Sequence, residues 1–382
     1  MNSIRYIILL ASIFLTLIFL TGCWNSNELN QLAIVTGGGI DKADDNRIRF
    51  TVQIHVPSSK KDSNESLGST SILWADGVNT ADALSKLQIK SPRKLFFGQM
   101  YVFIINEKFA KENGVRDQLD FLARVPDTRL RNKLFISEDS VDQILSSKTK
   151  LEKSSVETLS GISKKLVVPA IDLNYFLQMQ EDKGQSAVIP KIRMMEPDQK
   201  ESNSMTPAIV GTSILKKDRI VGEIDVETTR GLMWFRNKIE HPMITIVLDD
   251  EKGSVSFKTL HARTELLPRI ENGEWKMTVK TLSSVDVVQN ATNLQIPKPD
   301  VTEMLEKKLN EDLQKRLEQV VQQVQQKFKT DVLGYAEAIY RKYPKQWYAK
   351  KDHWDEIFPE IETEYDLNVK ILKPGEYVRQ RQ

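Results

Sequence analysis

The rhythm of apolar positions changes along the chain. Tyr6 to Leu20 is an almost unbroken apolar run, interrupted only by Ala11, Ser12 and Thr16. From Leu32 the pattern becomes periodic. Leu32-Ala33-Ile34-Val35 followed by Gly37-Gly38-Gly39 predicts a strand and then a bend whose glycines supply positive φ. Ile48, Phe50, Val52, Ile54 and Val56 alternate with Arg47, Arg49, Thr51, Gln53 and His55, the period of two of a half-buried strand with a solvated polar face. Ser58 to Thr70 is rich in Ser, Lys, Asp and Asn and predicts an exposed loop. Asn79 or Thr80 caps a predicted helix that buries Ala83, Leu84 and Leu87. Met100–Ile105 predicts a buried strand, Val115–Ala123 a helix, and Leu130, Leu134 and Ile136 another strand. Helices are expected at Ser140–Leu145, Val156–Lys165 and Ile171–Gln180.

Between Glu181 and Pro207 the composition turns polar, with Gly and Pro as breakers, and a domain boundary is expected there. Strands follow at Ala208–Leu215, Arg219–Ile224, Met243–Leu248, Val255–Leu260 and Trp275–Val287. Leu305, Leu309, Leu313, Leu317, Val321, Val324 and Phe328 then form an apolar stripe at helical spacing, predicting one long helix over about 301–341 unless Gly334 breaks it. Trp354–Phe358 reads as a short helix, and Tyr365, Leu367, Val369 and Ile371 as a last alternating strand. Strands and helices mix without regular βαβ alternation. The expected class is therefore α+β, with two or three domains, antiparallel-rich sheets and one long C-terminal helix. The units are a signal segment at 1–22, an N-terminal α+β domain at 23–195 and a C-terminal α+β region at 205–372, either whole or split in two.

Composition narrows the function. The 382 residues are 40% hydrophobic and 28% charged, an ordinary balance for a packed protein. Fifty-four Lys and Arg against 52 Asp and Glu leave a net +2, too balanced for a dedicated nucleic-acid binder. One cysteine excludes internal disulfides and Cys-cluster metal sites. With a single apolar run near spanning length, the chain is not a polytopic membrane protein.

That run carries the most specific signal. Arg5 precedes an apolar core of about 15 residues, shorter than a comfortable transmembrane helix and matched to an export signal. It ends in Leu20-Thr21-Gly22-Cys23, which resembles the bacterial lipobox. In that chemistry the thiol accepts a diacylglyceryl group and cleavage falls between Gly22 and Cys23. The expected modification is thus a lipid on Cys23, and two acyl chains give stable anchoring where one does not. Only Trp24-Asn25-Ser26-Asn27 separates Cys23 from sequence that reads as structured, a tether of under about 20 Å. The body is expected to ride close to the bilayer, with Trp24 suited either to the headgroup level or to simple packing.

Catalytic motifs are missing. The four histidines, His55, His241, His261 and His353, include no i,i+4 pair, and neither HExxH nor GxSxG occurs. The Gly37–Gly39 run lacks the residues that would make it a phosphate loop. No catalytic, cofactor-binding or metal-ligating residue is expected, and no cofactor beyond the covalent lipid. Two surface features are weighed as contacts: the basic residues Arg129, Arg131 and Lys133, expected on one strand face with Arg124 nearby, and the aromatics Tyr340, Tyr343, Trp347, Tyr348 and Trp354. Each has a plainer reading, a solvated strand face and the packing of a helix end. Arg230-Gly231-Leu232-Met233-Trp234 is a third candidate.

The order of several blocks resembles one family. Gly22-Cys23-Trp24 with Glu28, the stretch Leu32 to Asp41, Val52-Gln53-Ile54, Ser91-Pro92-Arg93-Lys94-Leu95-Phe96-Phe97-Gly98, and Glu227 to Trp234 recur in the Ger(x)C lipoproteins, the C subunits of spore germinant receptors. Arg341 to Trp347 and Trp354 to Pro359 extend the resemblance over the mature chain. Asn25 departs from the Asp that relatives commonly carry, without touching the lipobox. The resemblance implies an α+β fold, commonly of three domains, and a lipoprotein on the outer face of the spore inner membrane. It implies integral-membrane A and B subunits as partners, a requirement in nutrient-triggered germination, and no catalysis. Two other classes stay open on the residues alone: a lipid-anchored solute-binding protein, which needs doubly wound α/β lobes, and a surface hydrolase, which needs a site assembled by the fold.

Overall fold

The computed structural model describes residues 4–7, 31–56, 69–147, 152–164, 170–196, 205–239, 243–248 and 253–373. Gly22 and Cys23, Trp24 and most of the expected 58–70 loop lie outside them.

The first sheet is built from β1 (Leu32–Lys42), β2 (Ile48–Val56), β3 (Ser69–Gly77), β4 (Lys94–Phe96), β5 (Val102–Asn106), β6 (Lys133–Ser137), β7 (Ser186–Met195), β8 (Thr206–Lys216) and β9 (Arg219–Asp225). Its order is β3-β2-β1-β5-β6-β7-β8-β9, with β4 also paired to β1. The centre is parallel, β1 with β4 and β5, then β5–β6 and β6–β7, and both flanks are antiparallel. Parallel neighbours need crossover connections. They are supplied by α1 (Thr80–Lys90) between β3 and β4, and by α2 (Glu107–Glu112) and α3 (Arg116–Arg124) between β5 and β6. Between β6 and β7 run α4 (Val141–Ser146), α5 (Ser155–Lys164) and α6 (Leu173–Glu181). Asn79 caps α1 by accepting the Asp82 N–H, as its position predicts.

Helices cover both faces, so Val102–Ile105 of β5 are buried. Phe103 and Ile105 join Leu87, Phe109, Leu119, Leu122 and Phe176 on one side, and Val102 and Ile104 join Val141, Ile144, Leu145, Val156 and Leu159 on the other. This second layer corrects two expectations. The middle of the polar face of β2 is not solvated: Thr51 and Gln53 are buried, and Gln53 Nε2 donates to the Leu145 carbonyl at 2.7 Å, while Arg49 and His55 at its ends stay partly exposed. Nor do Gly37–Gly39 make a bend; they lie inside β1. Gly37 and Gly39 face this layer and leave no room for a side chain, whereas Gly38 points the other way and meets only ordinary contacts. A Cβ at Gly37 would stand 2.5 Å from Val156 Cγ2, and one at Gly39 2.7 Å from Val141 Cγ1.

The polar stretch near residue 200 joins two neighbours within this sheet. β7 and β8 pair from Ser186↔Lys216 to Met195↔Thr206, so the ladder runs on to Asp225. α7 (Val226–Phe235) then leads to the second sheet, β10 (Met243–Leu248), β11 (Gly253–Glu271), β12 (Glu274–Asn290) and β13 (Glu362–Lys373), in that order. β12 and β13 are parallel, bridged by the C-terminal helices.

The long helix α8 (Pro299–Val321) continues as a π-helical turn over Gln322–Lys327 and buries Leu305, Leu309, Leu313 and Leu317 on the second sheet and α7. Each such leucine contributes about 2 kcal/mol of burial. Its side chains also close the outer edge of β13: Asn310 Oδ1 accepts the Val369 N–H and Glu306 Oε1 the Ile371 N–H, both at 3.0 Å. The helix ends at Phe328. Gly334, at φ +93°, separates it from α9 (Tyr335–Lys342), and α10 (Pro344–Lys350) and α11 (Trp354–Ile357) follow. α7 touches both sheets and α8, and one core cluster runs from Ala33 to Val369, with the layer around Val141 and Val156 forming a second cluster on the other face of the first sheet.

Candidate functional site

Two ends of the first sheet differ in chemistry. At the C-terminal ends of β1, β5 and β6 lies a cleft of about 740 Å³ lined by Asp41, Asp44, Asp45, Arg49, Asn106, Glu138 and Asp142 among others. Parallel strands commonly place sites at this end. Asp41 is buried there, and both its oxygens accept the Val141 N–H, at 3.2 and 3.1 Å, which seats α4. Burial pushes its carboxyl up to about 7, against the pull of that backbone N–H.

Beside the cleft sits an ion cluster. Glu107, Glu138 and Glu223 bring carboxylate oxygens within 4.8 Å of one another, the one such group of three potential metal ligands among the described residues. Lys191, 5% exposed, points into it: Nζ lies 3.1 Å from Glu107 and 2.6 Å from Glu138, and it also pairs with Glu223. The ammonium stands where a cation would bind, so these carboxylates are already neutralised from within the chain. Arg193 embraces Glu138 with two bonds of 2.8 Å. Hydrogen bonds from Arg193 and Lys191 hold the Glu138 carboxyl down at about 2. Burial opposes the ionised form of Glu107, yet its bonds to Lys111 and Lys191 keep it below the usual carboxylate range. Burial likewise works against the Lys191 charge, and its three carboxylates raise it above the ordinary lysine value. The cluster ties α2, the end of β6, β7 and β9 together.

The sequence candidates separate into packing and surface. Arg129 and Arg131 lie in the exposed turn before β6, not on a strand face; only Lys133 starts the strand, where it pairs with Asp172 at 3.3 Å. Arg124, ending α3, pairs with Asp120. Of the aromatics, Trp347 and Trp354 are buried against each other with centroids 5.1 Å apart, and Tyr343 packs on Trp275 at 5.5 Å. Tyr348 alone stays well exposed. Leu232, Met233 and Trp234 are core, and Gly231 lets α8 approach, since its Cβ would stand 2.6 Å from Val320 Cγ2. The Lys191 cluster escaped sequence reading because its four members span residues 107–223. The available signal was a lone lysine inside the apolar run Ala187–Ile192. Among the described residues no helix is long and apolar enough to cross a membrane.

A two-sheet α+β body with a parallel-centred first sheet and a helix-backed second one defines a distinct class, and the comparisons place it. The description "Spore germination protein N-terminal domain" matches residues 25–194, and "Spore germination B3/GerAC like, C-terminal" matches 210–375. The chain belongs to this GerAC family of spore-germination proteins. Among its relatives, spore germination protein KC of Bacillus subtilis is 29% identical, with 97% of each chain covered. Spore germination protein B3 of the same organism is 24% identical over 95% of this chain and 96% of its own. The crystal structure of the GerBC protein superposes with a TM-score of 0.59 at 20% identity, covering 91% of this chain and all of that one, and shares the fold.

Proposed function

We propose that this chain is a lipid-anchored, non-catalytic subunit of a nutrient germinant receptor. Cys23 carries the diacylglyceryl anchor, Gly22–Cys23 is the cleavage junction, and the folded body stands on the outer face of the spore inner membrane beside integral-membrane A and B subunits. Apart from the lipid it needs no cofactor or metal. The observation that carries the reading is the match of germination-protein descriptions to residues 25–194 and 210–375, nearly everything that follows the lipobox. The ion cluster reads as a fastener between elements: its carboxylates are paired with Lys191, Lys111 and Arg193.

Replacing Cys23 by Ala tests the proposal in sporulating cells. The expected result is loss of fatty-acid labelling, loss of the chain from the membrane fraction, and loss of germination on the nutrient its receptor serves. Wild-type behaviour of the variant on all three counts refutes it.

A further inference from the structure

β1, β4, β5 and β6 run parallel, so their first residues share one end of the sheet, opposite the acidic cleft. The chain enters the described fold at this end, at Gln31 and Leu32. Leu32 is level with Lys94. Val102 is level with Lys133, which puts the turn Arg129-Leu130-Arg131 at the same end. We propose that this end is the face the protein turns to an anionic bilayer, with Arg93, Lys94, Arg129 and Arg131 as its headgroup contacts. The proposal rests on the lipid-anchor reading and adds an orientation to it.

Three observations carry it. First, these four cations are uncommitted. Nearby Arg124 and Lys133 are paired to Asp120 and Asp172, whereas no ion pair among the described residues engages Arg93, Lys94, Arg129 or Arg131. Asp127 is the acid in the same turn, and it leaves a surplus of positive charge. Cations near an anionic surface each strengthen binding about fivefold. Second, Tyr101 and Leu130 stand among them at 46% and 40% exposure. A tyrosine and an apolar side chain inside a basic rim suit the headgroup boundary. Third, the tether selects this end. Nine residues from Cys23 to Leu32 span at most about 30 Å. β1 then carries the chain about 33 Å further before it reaches Lys42 at the cleft. The far end also presents Asp44, Asp45 and Asp142, none of them in an ion pair among the described residues; Lys42 and Arg49 there are paired to Glu112 and Asp76, and Lys108 alone does not offset the three acids, so an anionic surface is repelled.

Because Cys23 is the chain's only cysteine and is acylated on this reading, a second cysteine can be labelled selectively. Full-length chain carrying Leu130→Cys or, as control, Asp45→Cys is spin-labelled on vesicles of phosphatidylcholine alone or with about a third phosphatidylglycerol. The expected result is contact of the label at position 130 with the lipid phase on phosphatidylglycerol vesicles, lost at high salt, and an aqueous label at position 45. Arg93→Gln, Lys94→Gln, Arg129→Gln and Arg131→Gln should each weaken the contact about fivefold at low salt, while the protein stays on the vesicle. An aqueous label at 130 on phosphatidylglycerol vesicles overturns the proposal, as does equal contact on phosphatidylcholine alone or an immersed label at 45. Retention on pure phosphatidylcholine reads the anchor separately. If retention fails there while the phosphatidylglycerol-dependent contact persists, the anchor reading falls and the surface stands.

Discussion

Removing one ammonium group should convert the Lys191 cluster from a fastener into a repulsive pocket. Lys191→Met keeps the length and apolar stem of the side chain and deletes its charge. Three carboxylates then face one another within 4.8 Å. Stripping one partner from a buried ion cluster costs about 3–5 kcal/mol. Glu138 and Glu223 keep side-chain exposures of 34% and 57%, so they rehydrate in part, and Arg193 still holds Glu138. The lower figure, about 3 kcal/mol at pH 7, is therefore expected. The pH dependence supplies the sign. A carboxyl held down at about 2 contributes stability that is complete above the ordinary glutamate value of 4.5 and is lost as pH falls toward 2. In the variant the crowded carboxylates lose that support and take up protons at higher pH. The gap between wild type and variant should narrow below pH 4.5. Urea unfolding from pH 7 to pH 3.5 measures it, and a double-mutant cycle with Glu107→Gln should recover a coupling of at least about 1 kcal/mol. A penalty under 1 kcal/mol at pH 7, or one that stays constant across the range, refutes the reasoning.

Other perturbations follow from single contacts. Gly231→Ala forces a methyl against Val320 and the Arg316 carbonyl, 2.6 and 2.9 Å away, and should lower stability by about 1–3 kcal/mol in thermal or urea melts. Gln325→Leu removes the Nε2 donor that serves the Phe358 and Ile361 carbonyls at 2.8 and 3.0 Å, and two orphaned buried acceptors should cost about 2–3 kcal/mol in the same assay. Asp41→Asn tests the raised carboxyl. Its native pKa of about 7 means that its contribution is complete below 3.8 and is lost as pH rises through 7. The variant should gain on the wild type by about 2–4 kcal/mol between pH 4 and pH 8 in paired unfolding curves.

Sequence reading recovered elements whose physics is local. The α8 stripe, the Asn79 cap and the β10 strand (Met243–Leu248) stand where periodicity and capping place them. It stopped at properties that two distant segments share. β7 went unread because a strand buried on both faces shows no alternation, and its polar surroundings suggested a boundary instead. β3 was hidden beside the loop that precedes it. Gly37 and Gly39 of β1 were legible as glycines but not in purpose, since what crowds them is Val156 for the first, and the Ile104 carbonyl and Val141 for the second, all distant in sequence. The expected helix to 341 stops at Phe328, with Lys329 at φ +47° and Gly334 at φ +93° in the connection to α9. The basic turn was legible as charge; its location at the strand-start end of the sheet came only from the pairing of β5 with β6.

The ladder between β7 and β8 has a practical meaning for anyone dissecting this gene. A cut in the hydrophilic connection near residue 200 looks like the natural place to obtain two separate halves. It would strip ten paired positions from each fragment, from Ser186↔Lys216 to Met195↔Thr206, and leave two sticky ribbons in search of a mate. The halves should precipitate when made alone and find each other when made together, complementing like the pieces of a split reporter.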